Sequence, residues 1–514
     1  MLFRSHRRAC CILTASVMLS LTSAMPACAQ KTKAKGAAIP VSPTGKDMPD
    51  ATIPLEPLGF QQTPMRYALA GAVVSSLHYV DSHHLLLTYR EQALITRRPD
   101  DPPEDNGQMV AALLLEVPSG KVLARTEWRL FDHARYLWPM GNGVFLRRIG
   151  RSLCLLNPLA EGGEGDPLKC LPFMELPGPP SYIMASHDGR MVIVESEVVK
   201  HSEAASAPAS PPLNPAMPKT AAPDVHRTMV QFLRFDLSHA AHGQISLAHA
   251  GQMLADNPIG FPLIGDGYVH AEEGDKDDWN LFFSTWSGHA EPLGDVVSTC
   301  NPLSEFLSDQ EFLVVTCNGS DDSRVMTLVT RDKRELWQQK LEADSMPPDV
   351  KAAATSGRFA ISRILRNGGG SVALTDMIPS DTIRAQRVEV RDVKNGALVA
   401  QVDMTPVQRA AQNFSLSGDG LHLALIQNDV IAIYDLSPLQ DLPAPKVKPG
   451  DLIFVAAPAD APGPKAVHAS ATSVSATGET VIEQPQNVDE RRTVPTLYTP
   501  EEQAERDRKA AEKK

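Results

Sequence analysis

The sequence is short of positive charge. Its 514 residues include 49 Lys and Arg against 61 Asp and Glu, a formal net charge of −12. Without the N-terminal segment that carries Arg4, Arg7 and Arg8, the chain has 46 basic and 61 acidic residues and a net charge of −15. Proteins that bind nucleic acid neutralise its phosphates with Lys and Arg. The composition therefore argues against nucleic acid as a partner.

The apolar run at the N-terminus is too short to cross a membrane. It extends from Cys10 to Leu21, follows the three arginines and precedes the small residues Ala27-Cys28-Ala29. A spanning helix needs about 18 or more apolar residues, whereas a basic start, a short apolar core and an A-x-A site form a secretory signal. The pattern predicts a signal peptide over residues 1–29, cleaved to leave an exported protein, periplasmic or extracellular, without stable membrane insertion. A lipid-anchored start at Cys28 is the alternative, for which Met25-Pro26-Ala27 is a poor match.

The chain lacks the motifs of common exported enzymes. It contains no G-x-S-x-G elbow, no H-E-x-x-H helix, no EF-hand loop and no phosphate loop. The nearest imitation of the elbow, Gly369-Gly370-Ser371, falls in a predicted loop. His83 and His84, with His78 nearby, lie on or beside predicted strands, where neighbouring side chains point to opposite faces. The pattern predicts solvated or strand-edge histidines, and no catalytic, cofactor-binding or metal-binding residue.

A repeating unit is present, and it is clearest between Asn413 and Leu436. Leu421 to Ile426 and Val430 to Tyr434 are apolar runs of strand length, joined by the turn residues Gln427-Asn428-Asp429 and preceded by Ser417-Gly418-Asp419-Gly420. The pattern predicts a three-stranded meander. Its middle strand is apolar on both faces, so it must be covered on both sides, as in a small sheet stacked between similar sheets.

A turn followed by an apolar run recurs seven times. The turns are Asp81-Ser82, Gly141-Asn142-Gly143, His187-Asp188-Gly189, Gly265-Asp266-Gly267, Ser308-Asp309, Ser356-Gly357 and Gly418-Asp419-Gly420. The shortest spacings between their central residues, 43, 46 and 48, match the roughly 40 to 50 residues of one four-stranded propeller blade. An outer-hairpin pattern also recurs, in Glu116–Leu123, Thr330–Trp337 and Arg391–Val399.

Tyr434-Asp435 stands where WD repeats often carry Trp-Asp, and here the sequence resembles the WD-repeat and YVTN-like β-propellers of exported bacterial proteins. The Gly-His signature of WD repeats is absent. The resemblance implies an all-β fold, a propeller of seven four-stranded antiparallel blades over residues 51–440. The last blade shows only three strands, and Thr52 to Phe60 is predicted to supply the fourth beside Val430 to Tyr434, at an edge that tolerates proline.

The segments outside the blades have compositions that do not form a core. Residues 30–50 are predicted to be a disordered leader, and the Pro- and Ala-rich residues 202–226 a solvated insertion between the second and third strands of one blade. Residues 441–514 are predicted to be a disordered tail, in which Asp451 to Ala456 is a candidate for a stray strand. Thr499-Pro500-Glu501-Glu502 is a capping box, so a short C-terminal helix is the alternative to a solvated end.

Four cysteines remain beyond the predicted signal: Cys154, Cys170, Cys300 and Cys317. An even number in an exported chain favours disulfides, with buried reduced thiols as the alternative. Antiparallel strands place residues equidistant from a tight turn opposite each other. The midpoint in sequence between Cys300 and Cys317 falls between Ser308 and Asp309, and the midpoint between Cys154 and Cys170 falls at Gly162. Both midpoints lie in predicted turns. The spacing predicts the pairs Cys154–Cys170 and Cys300–Cys317.

The absence of catalytic motifs favours a non-enzymatic scaffold, a monomer that presents one face of the propeller to a protein partner. The alternative is an enzyme, a lyase or hydrolase, whose polar residues converge from several blades on the central channel. The lining of the channel separates the two hypotheses. His, Lys, Asp or Glu side chains from three or more blades would favour the enzyme.

Overall fold

The computed structural model describes most of the chain between residues 48 and 437. The described ranges are 48–64, 68–70, 72–92, 107–131, 134–160, 166–176, 180–200, 225–255, 262–286, 289–318, 323–341, 349–352, 356–367, 382–437, 454–456, 473–474 and 480–483. All of them belong to the unit that begins at Ser42. The predicted signal peptide, nearly all of the predicted leader, and the predicted C-terminal helix lie outside these residues.

The strands form seven antiparallel sheets, which are the blades of a propeller. Blade 1 contains β2 (Ser75–Asp81), β3 (His84–Arg90), β4 (Gln108–Glu116) and β5 (Val122–Leu130); blade 2 contains β6 (Leu137–Pro139), β7 (Phe145–Ile149), β8 (Ser152–Leu156) and β9 (Leu171–Glu175); blade 3 contains β10 (Pro180–Ala185), β11 (Met191–Lys200), β12 (Val225–Asp236) and β13 (Ser246–Ala255); blade 4 contains β14 (Leu263–Ile264), β15 (Gly267–Glu273), β16 (Asp278–Thr285) and β17 (Ala290–Val297). Blade 5 contains β18 (Leu303–Phe306), β19 (Glu311–Asn318), β20 (Ser323–Thr330) and β21 (Glu335–Lys340); blade 6 contains β22 (Asp349–Ala352), β23 (Arg358–Arg366), β24 (Ile383–Asp392) and β25 (Leu398–Met404); blade 7 contains β26 (Phe414–Leu416), β27 (His422–Gln427), β28 (Val430–Asp435) and β1 (Ala51–Pro54). Two 3-10 helices, Glu56–Leu58 and Ala240–His242, lie in the connections.

Each blade is apolar on both faces because it packs between two others. On β3, Leu85 and Leu87 join the apolar cluster between blades 7 and 1, while Leu86 joins the cluster between blades 1 and 2. An apolar cluster of this kind fills every junction between successive blades, including the junction of blade 7 with blade 1. The ring is therefore closed, and its core is distributed over seven interfaces.

All seven predicted turns join the first and second strands of a blade, as expected. Two of them share one set of hydrogen bonds. Ser186 Oγ lies 2.6 Å from Asp188 Oδ1 and accepts the Met191 N–H at 2.9 Å; Ser417 Oγ lies 2.5 Å from Asp419 Oδ1 and accepts the His422 N–H at 2.9 Å. Ser-x-Asp-Gly is thus a turn in which both short polar side chains bind nearby backbone and each other, which explains its recurrence.

The N-terminal strand completes blade 7, as the sequence predicts. Strand β1 pairs with β28 in the register Ala51↔Ile433 to Pro54↔Val430. It is shorter than predicted, because the chain turns into the helix at Glu56–Leu58. Ile53 is the residue that anchors it, since its side chain is 3% exposed within the cluster between blades 7 and 1.

The structure joins Cys154 to Cys170 and Cys300 to Cys317, with 5.6 Å between the Cα atoms of each pair. The predicted registers need correction. Cys154 on β8 lies opposite Pro172, so Cys170 stands just before β9, and the pairing of β18 with β19 is offset so that Cys300 lies before β18. The cysteines are therefore near neighbours at the ends of the ladders and not directly opposed strand residues. The predicted turn at Gly162 lies outside the described residues.

The flanks of the insertion and part of the tail can be placed. β11 ends at Lys200 and β12 begins at Val225, so residues 201–224 lie between the second and third strands of blade 3, and the last two residues of the predicted insertion, Val225 and His226, belong to β12. In the predicted tail, β29 (Phe454–Ala456) pairs with β17, and β30 (Ser473–Val474) and β31 (Thr480–Glu483) extend the outer edge of blade 3.

Within the residues described, no helix has the length and apolar character needed to cross a membrane.

Candidate functional site

The first strands of the blades line the central channel. β2 contacts β26, β6 contacts β10, β14 contacts β18, and β22 contacts β26, so these strands form an inner ring. All of them begin at the same end of the channel, here called the leading end. The turns between first and second strands lie at the other end, here called the turn end.

Six polar side chains from five blades lie on or just before the inner strands and interact through their charges. The channel cluster consists of His78 on β2, Arg135 just before β6, Tyr182 on β10, Glu305 on β18, and Asp349 and Lys351 on β22. The charge of Arg135 acts on Tyr182, Glu305 and Asp349, and the charges of Lys351 and Arg135 act on His78. Ionisable groups separated along the chain by as many as 273 residues, from His78 to Lys351, thus influence one another.

Lys351 is held against the neighbouring blade. Its Nζ donates a hydrogen bond to the carbonyl oxygen of Phe414, 2.5 Å away on β26, and lies 4.1 Å from the centre of the Phe414 ring. Burial lowers the pKa of Lys351 to about 7; the charge of Arg135 adds to the effect, and Asp349 opposes it. A substantial fraction of this amine is therefore uncharged near neutral pH.

Asp349 faces the channel from the first position of β22. The residue keeps a solvent-exposed surface, but protein atoms crowd around its carboxyl group and partly desolvate it. This desolvation raises the pKa of Asp349 to about 6, although the positive charges of Lys351 and Arg135 favour the ionised form. An amine and a carboxyl group that both titrate near neutrality stand two residues apart on one strand, so they share one face of it.

His78 and Arg135 complete the polar wall. His78 is 2% exposed, its ring centre lies 5.7 Å from that of Phe145, and its Nε2 has no hydrogen-bond partner among the described residues. Burial, with the charges of Lys351 and Arg135, holds the pKa of His78 well below its usual value, so the ring is neutral at pH 7. Arg135 Nε donates to the Leu137 carbonyl at 3.1 Å, and its guanidinium lies 5.3 Å from the Trp138 ring centre.

The histidines singled out in the sequence behave differently from one another. His84 Nδ1 lies 2.8 Å from Asp81 Oδ1 at the surface end of a hairpin, as expected of a solvated residue. His78 is instead buried beside the channel, which corrects the expectation of a solvated or strand-edge side chain. Gly369-Gly370-Ser371 lies outside the described residues. In the part of the chain that is described, no three His, Cys, Asp or Glu side chains are grouped as metal ligands require.

A cavity of about 360 Å³ lies at the turn end, between blades 3, 4 and 5. Two of its three arginines are matched by acidic side chains, Arg331 at 3.0 Å from Asp266 and Arg190 at 3.2 Å from Asp188, and Arg234 donates to the Gly265 carbonyl at 3.2 Å. The charges therefore largely cancel, and the cavity holds none of the groups that titrate near neutrality. The channel cluster is the stronger candidate because its perturbed groups converge from several blades.

The fold and the cluster define the class of the protein. It is a seven-bladed β-propeller, closed by an N-terminal strand, with a polar channel mouth at its leading end. At the level of fold it resembles the WD-repeat and YVTN-like β-propellers.

Several solved structures align with the chain. The Pyrococcus horikoshii acylaminoacyl peptidase does so with 10% identity over 73% of this chain and 54% of that chain, at a TM-score of 0.39, so this chain spans about half the length of that peptidase. TolB from Acinetobacter baumannii aligns with 9% identity over 69% of this chain and 77% of TolB, at a TM-score of 0.29. Chaetomium thermophilum Sqt1, bound to the N-terminus of the ribosomal protein L10, aligns with 9% identity over 71% of this chain and 98% of Sqt1, at a TM-score of 0.35. No family model and no curated protein matches the chain. Similarities this low carry no inference about activity.

Proposed function

We propose that the protein is an exported propeller that binds a small carboxylate-bearing ligand at the leading end of its channel and transfers a proton on that ligand. The observation that supports this most is the pair Lys351 and Asp349, an amine and a carboxyl group that titrate near pH 7 and pH 6 within a ring of polar side chains. General acid–base catalysis works best when the pKa of the group lies near the working pH. Export is part of the proposal, and the two disulfides are compatible with it.

Four members of the channel cluster have roles that their chemistry suggests. The guanidinium of Arg135 pairs with the ligand carboxylate, for which its planar fork is suited. Uncharged Lys351 takes a proton from the carbon next to that carboxylate, and Asp349 in its protonated form returns a proton to the departing or rearranged group. Neutral His78 can donate or accept one hydrogen bond through Nε2, which has no partner among the described residues.

The proposal replaces the scaffold that the sequence favoured with the enzyme that was its alternative. His78, Glu305 and the pair on β22 come from blades 1, 5 and 6, which meets the criterion of three or more blades. A protein partner and a monomeric state remain predictions. They are not required by the proton-transfer proposal.

Reactivity of Lys351 tests the proposal directly. The protein is labelled with limiting acetic anhydride between pH 5 and 11, and each lysine is quantified by mass spectrometry, with exposed Lys121 as the reference. Lys351 is expected to reach half-maximal reactivity near pH 7, because burial favours its uncharged form. If Lys351 and Lys121 reached half-maximal reactivity at the same pH, the proposal would be contradicted.

Isotope exchange tests the chemistry. Lactate, succinate and glucuronate are incubated with the protein in D2O, and loss of the proton next to the carboxylate is followed by NMR. We expect the natural protein and Lys121→Met to catalyse the exchange, and Lys351→Met to have lost it. Exchange that survives in Lys351→Met would assign the base to another residue.

A further inference from the structure

The two disulfides lie in different surroundings. Cys154 is fully buried, and Cys170 packs against the apolar cluster between blades 1 and 2. Arg147 is the cross-strand neighbour of Cys154, but its guanidinium stacks on the Trp128 ring at 4.0 Å. This disulfide is thus enclosed by apolar groups, the setting that disfavours thiolates.

Cys300–Cys317 lies beside a cation and a hydroxyl group. Arg324 is the cross-strand neighbour of Cys317, is itself 9% exposed, and places Nη1 3.1 Å from Cys317 Sγ and 3.9 Å from Cys300 Sγ. Ser298 Oγ lies 3.6 Å from Cys300 Sγ and accepts the Cys317 N–H at 3.0 Å. Both cysteines are only partly buried, so a reagent can approach them.

A guanidinium at this distance favours the reduced state. Thiol–disulfide exchange begins when a thiolate attacks one sulfur and expels the other as a thiolate, and it is faster when the leaving thiolate is stabilised. Arg324 lies closest to Cys317 Sγ, so Cys317 is the better leaving group and Cys300 the sulfur that is attacked. A neighbouring arginine also stabilises the dithiol product, which makes the disulfide a stronger oxidant.

We propose that Cys300–Cys317 is an exchangeable disulfide that dithiols open, while Cys154–Cys170 stays closed. One thiolate of the dithiol forms a mixed disulfide with Cys300 Sγ, and the electron pair of the broken S–S bond goes to Cys317 Sγ. The second sulfur of the dithiol, after losing its proton, then attacks the first dithiol sulfur in the mixed disulfide and releases Cys300 as a thiolate; the two protons lost by the dithiol balance those taken up by Cys300 and Cys317. The protein disulfide gains two electrons, and the dithiol is oxidised to a disulfide.

Opening this bond acts on the channel. Cys300 stands in the connection between β17 and β18, and the bond fixes that connection to the end of β19. β18 carries Glu305 of the channel cluster, five residues after Cys300. Reduction therefore removes the cross-link that holds the start of this inner strand, and the thiol state can be sensed at the leading end of the channel.

Redox titration of the full chain tests the proposal. The protein is equilibrated with mixtures of reduced and oxidised dithiothreitol, free thiols are blocked, and the four cysteines are read by mass spectrometry. The equilibrium constant for reduction of Cys300–Cys317 is expected to be at least on the order of tenfold larger than that of Cys154–Cys170. A tenfold ratio corresponds to a reduction potential about 30 mV higher. Equal constants would overturn the proposal.

Variants of Arg324 separate the charge from the fold. Arg324→Met is expected to lower the constant of Cys300–Cys317 severalfold, while Arg324→Lys keeps most of it and exposed Arg334→Gln leaves it unchanged. Cys154–Cys170 in the same molecule reports folding, because loss of the propeller would open both bonds together. A shift of both disulfides by the same factor, or no shift in Arg324→Met, would overturn the role of Arg324.

Discussion

Gly189 lies against the Met140 carbonyl so closely that a Cβ added to Gly189 would stand 1.5 Å from that oxygen. The two residues belong to the first turns of blades 3 and 2, so the contact fixes the approach of these blades at the turn end. Gly189 has a φ of +68°. Gly357, in the corresponding turn of blade 6, has the same φ, but no atom lies within 4 Å of a Cβ added there.

These two glycines make a matched pair for mutation. Gly357→Ala should cost about 1–2 kcal/mol of unfolding free energy, because only the left-handed backbone is strained. Gly189→Ala should cost about 3 kcal/mol or more, since displacement of packed backbone adds to that strain. Urea unfolding measures both. Equal losses would show that blades 2 and 3 do not approach each other at Gly189.

Ile53 is expected to stabilise the contact between blades 7 and 1 that closes the ring. Ile53→Ala removes a buried side chain between blades 7 and 1 and should lower the unfolding free energy by about 2–5 kcal/mol. Thr52→Ala, at the exposed neighbouring position of the same strand, is the control and should change stability by about 0.5 kcal/mol or less. Similar effects of the two substitutions would contradict the pairing of β1 with β28.

Truncation tests the same closure at a larger scale. Deletion of residues 31–60 removes β1 and exposes the apolar faces of blades 7 and 1, so aggregated protein is expected. Deletion of residues 442–514 should leave a soluble fold, because every blade keeps its four strands without the tail. Size-exclusion chromatography distinguishes the outcomes, and the same behaviour of both truncations would refute the assignment of the closing strand.

Glu389 is expected to be the acidic residue of blade 6 whose substitution lowers the unfolding free energy most. It is 2% exposed, bonds Arg363, and lies 2.6 Å from Arg391. Its burial raises the pKa of the carboxyl, but the two guanidinium groups outweigh this and hold the pKa of Glu389 below its usual value. The stabilisation is thus present above the ordinary glutamate pKa and is lost as the pH falls through the lower native value.

Substitution of Glu389 leaves the buried guanidinium of Arg363 and the partly buried one of Arg391 without their carboxylate partner. Glu389→Gln should cost about 3–5 kcal/mol at pH 7, and the loss should shrink as the pH falls toward the native pKa. Asp403→Asn breaks the solvent-facing ion pair with Arg387, 2.6 Å long in the same blade, and should cost about 1 kcal/mol or less. Chemical denaturation between pH 3 and 7 checks both, and a loss at Glu389 no larger than at Asp403 would contradict the prediction.

The channel cluster makes stability depend on pH in two opposite directions. The pKa of Lys351 is about 7 in the native state and 10.5 ordinarily, so the unfolded chain binds more protons between these values and stability rises with pH. The pKa of Asp349 is about 6 in the native state and 3.8 ordinarily, so the native state binds more protons there and stability falls as pH rises. Lys351→Met should flatten the first slope and Asp349→Asn the second, as measured by denaturation at constant ionic strength. Unchanged slopes in both variants would contradict the native pKa values.

The sequence by itself determined the elements that depend on neighbouring residues. The seven turns could be found because glycine and short polar residues recur in them, and in two of them the Ser and Asp of Ser-x-Asp-Gly bond to the backbone of the turn itself. The cysteine pairs could be predicted because residues equidistant from a turn come near each other across it. The register of β18 with β19 differs by one residue from the prediction, and Cys154 lies opposite Pro172 instead of Cys170. Closure of the last blade followed from counting three strands where four are needed.

Only the tertiary structure decided the channel cluster and the environment of the disulfides. Strand alternation tells which residues share a face, but it does not tell which strands form the inner ring or which ends meet there. His78, Arg135 and Lys351 come together only when the ring closes, and their pKa values shift because that closure removes water from around them. In the same way Arg324 lies seven residues from Cys317 in the chain, and only the pairing of β19 with β20 places its guanidinium against the sulfur.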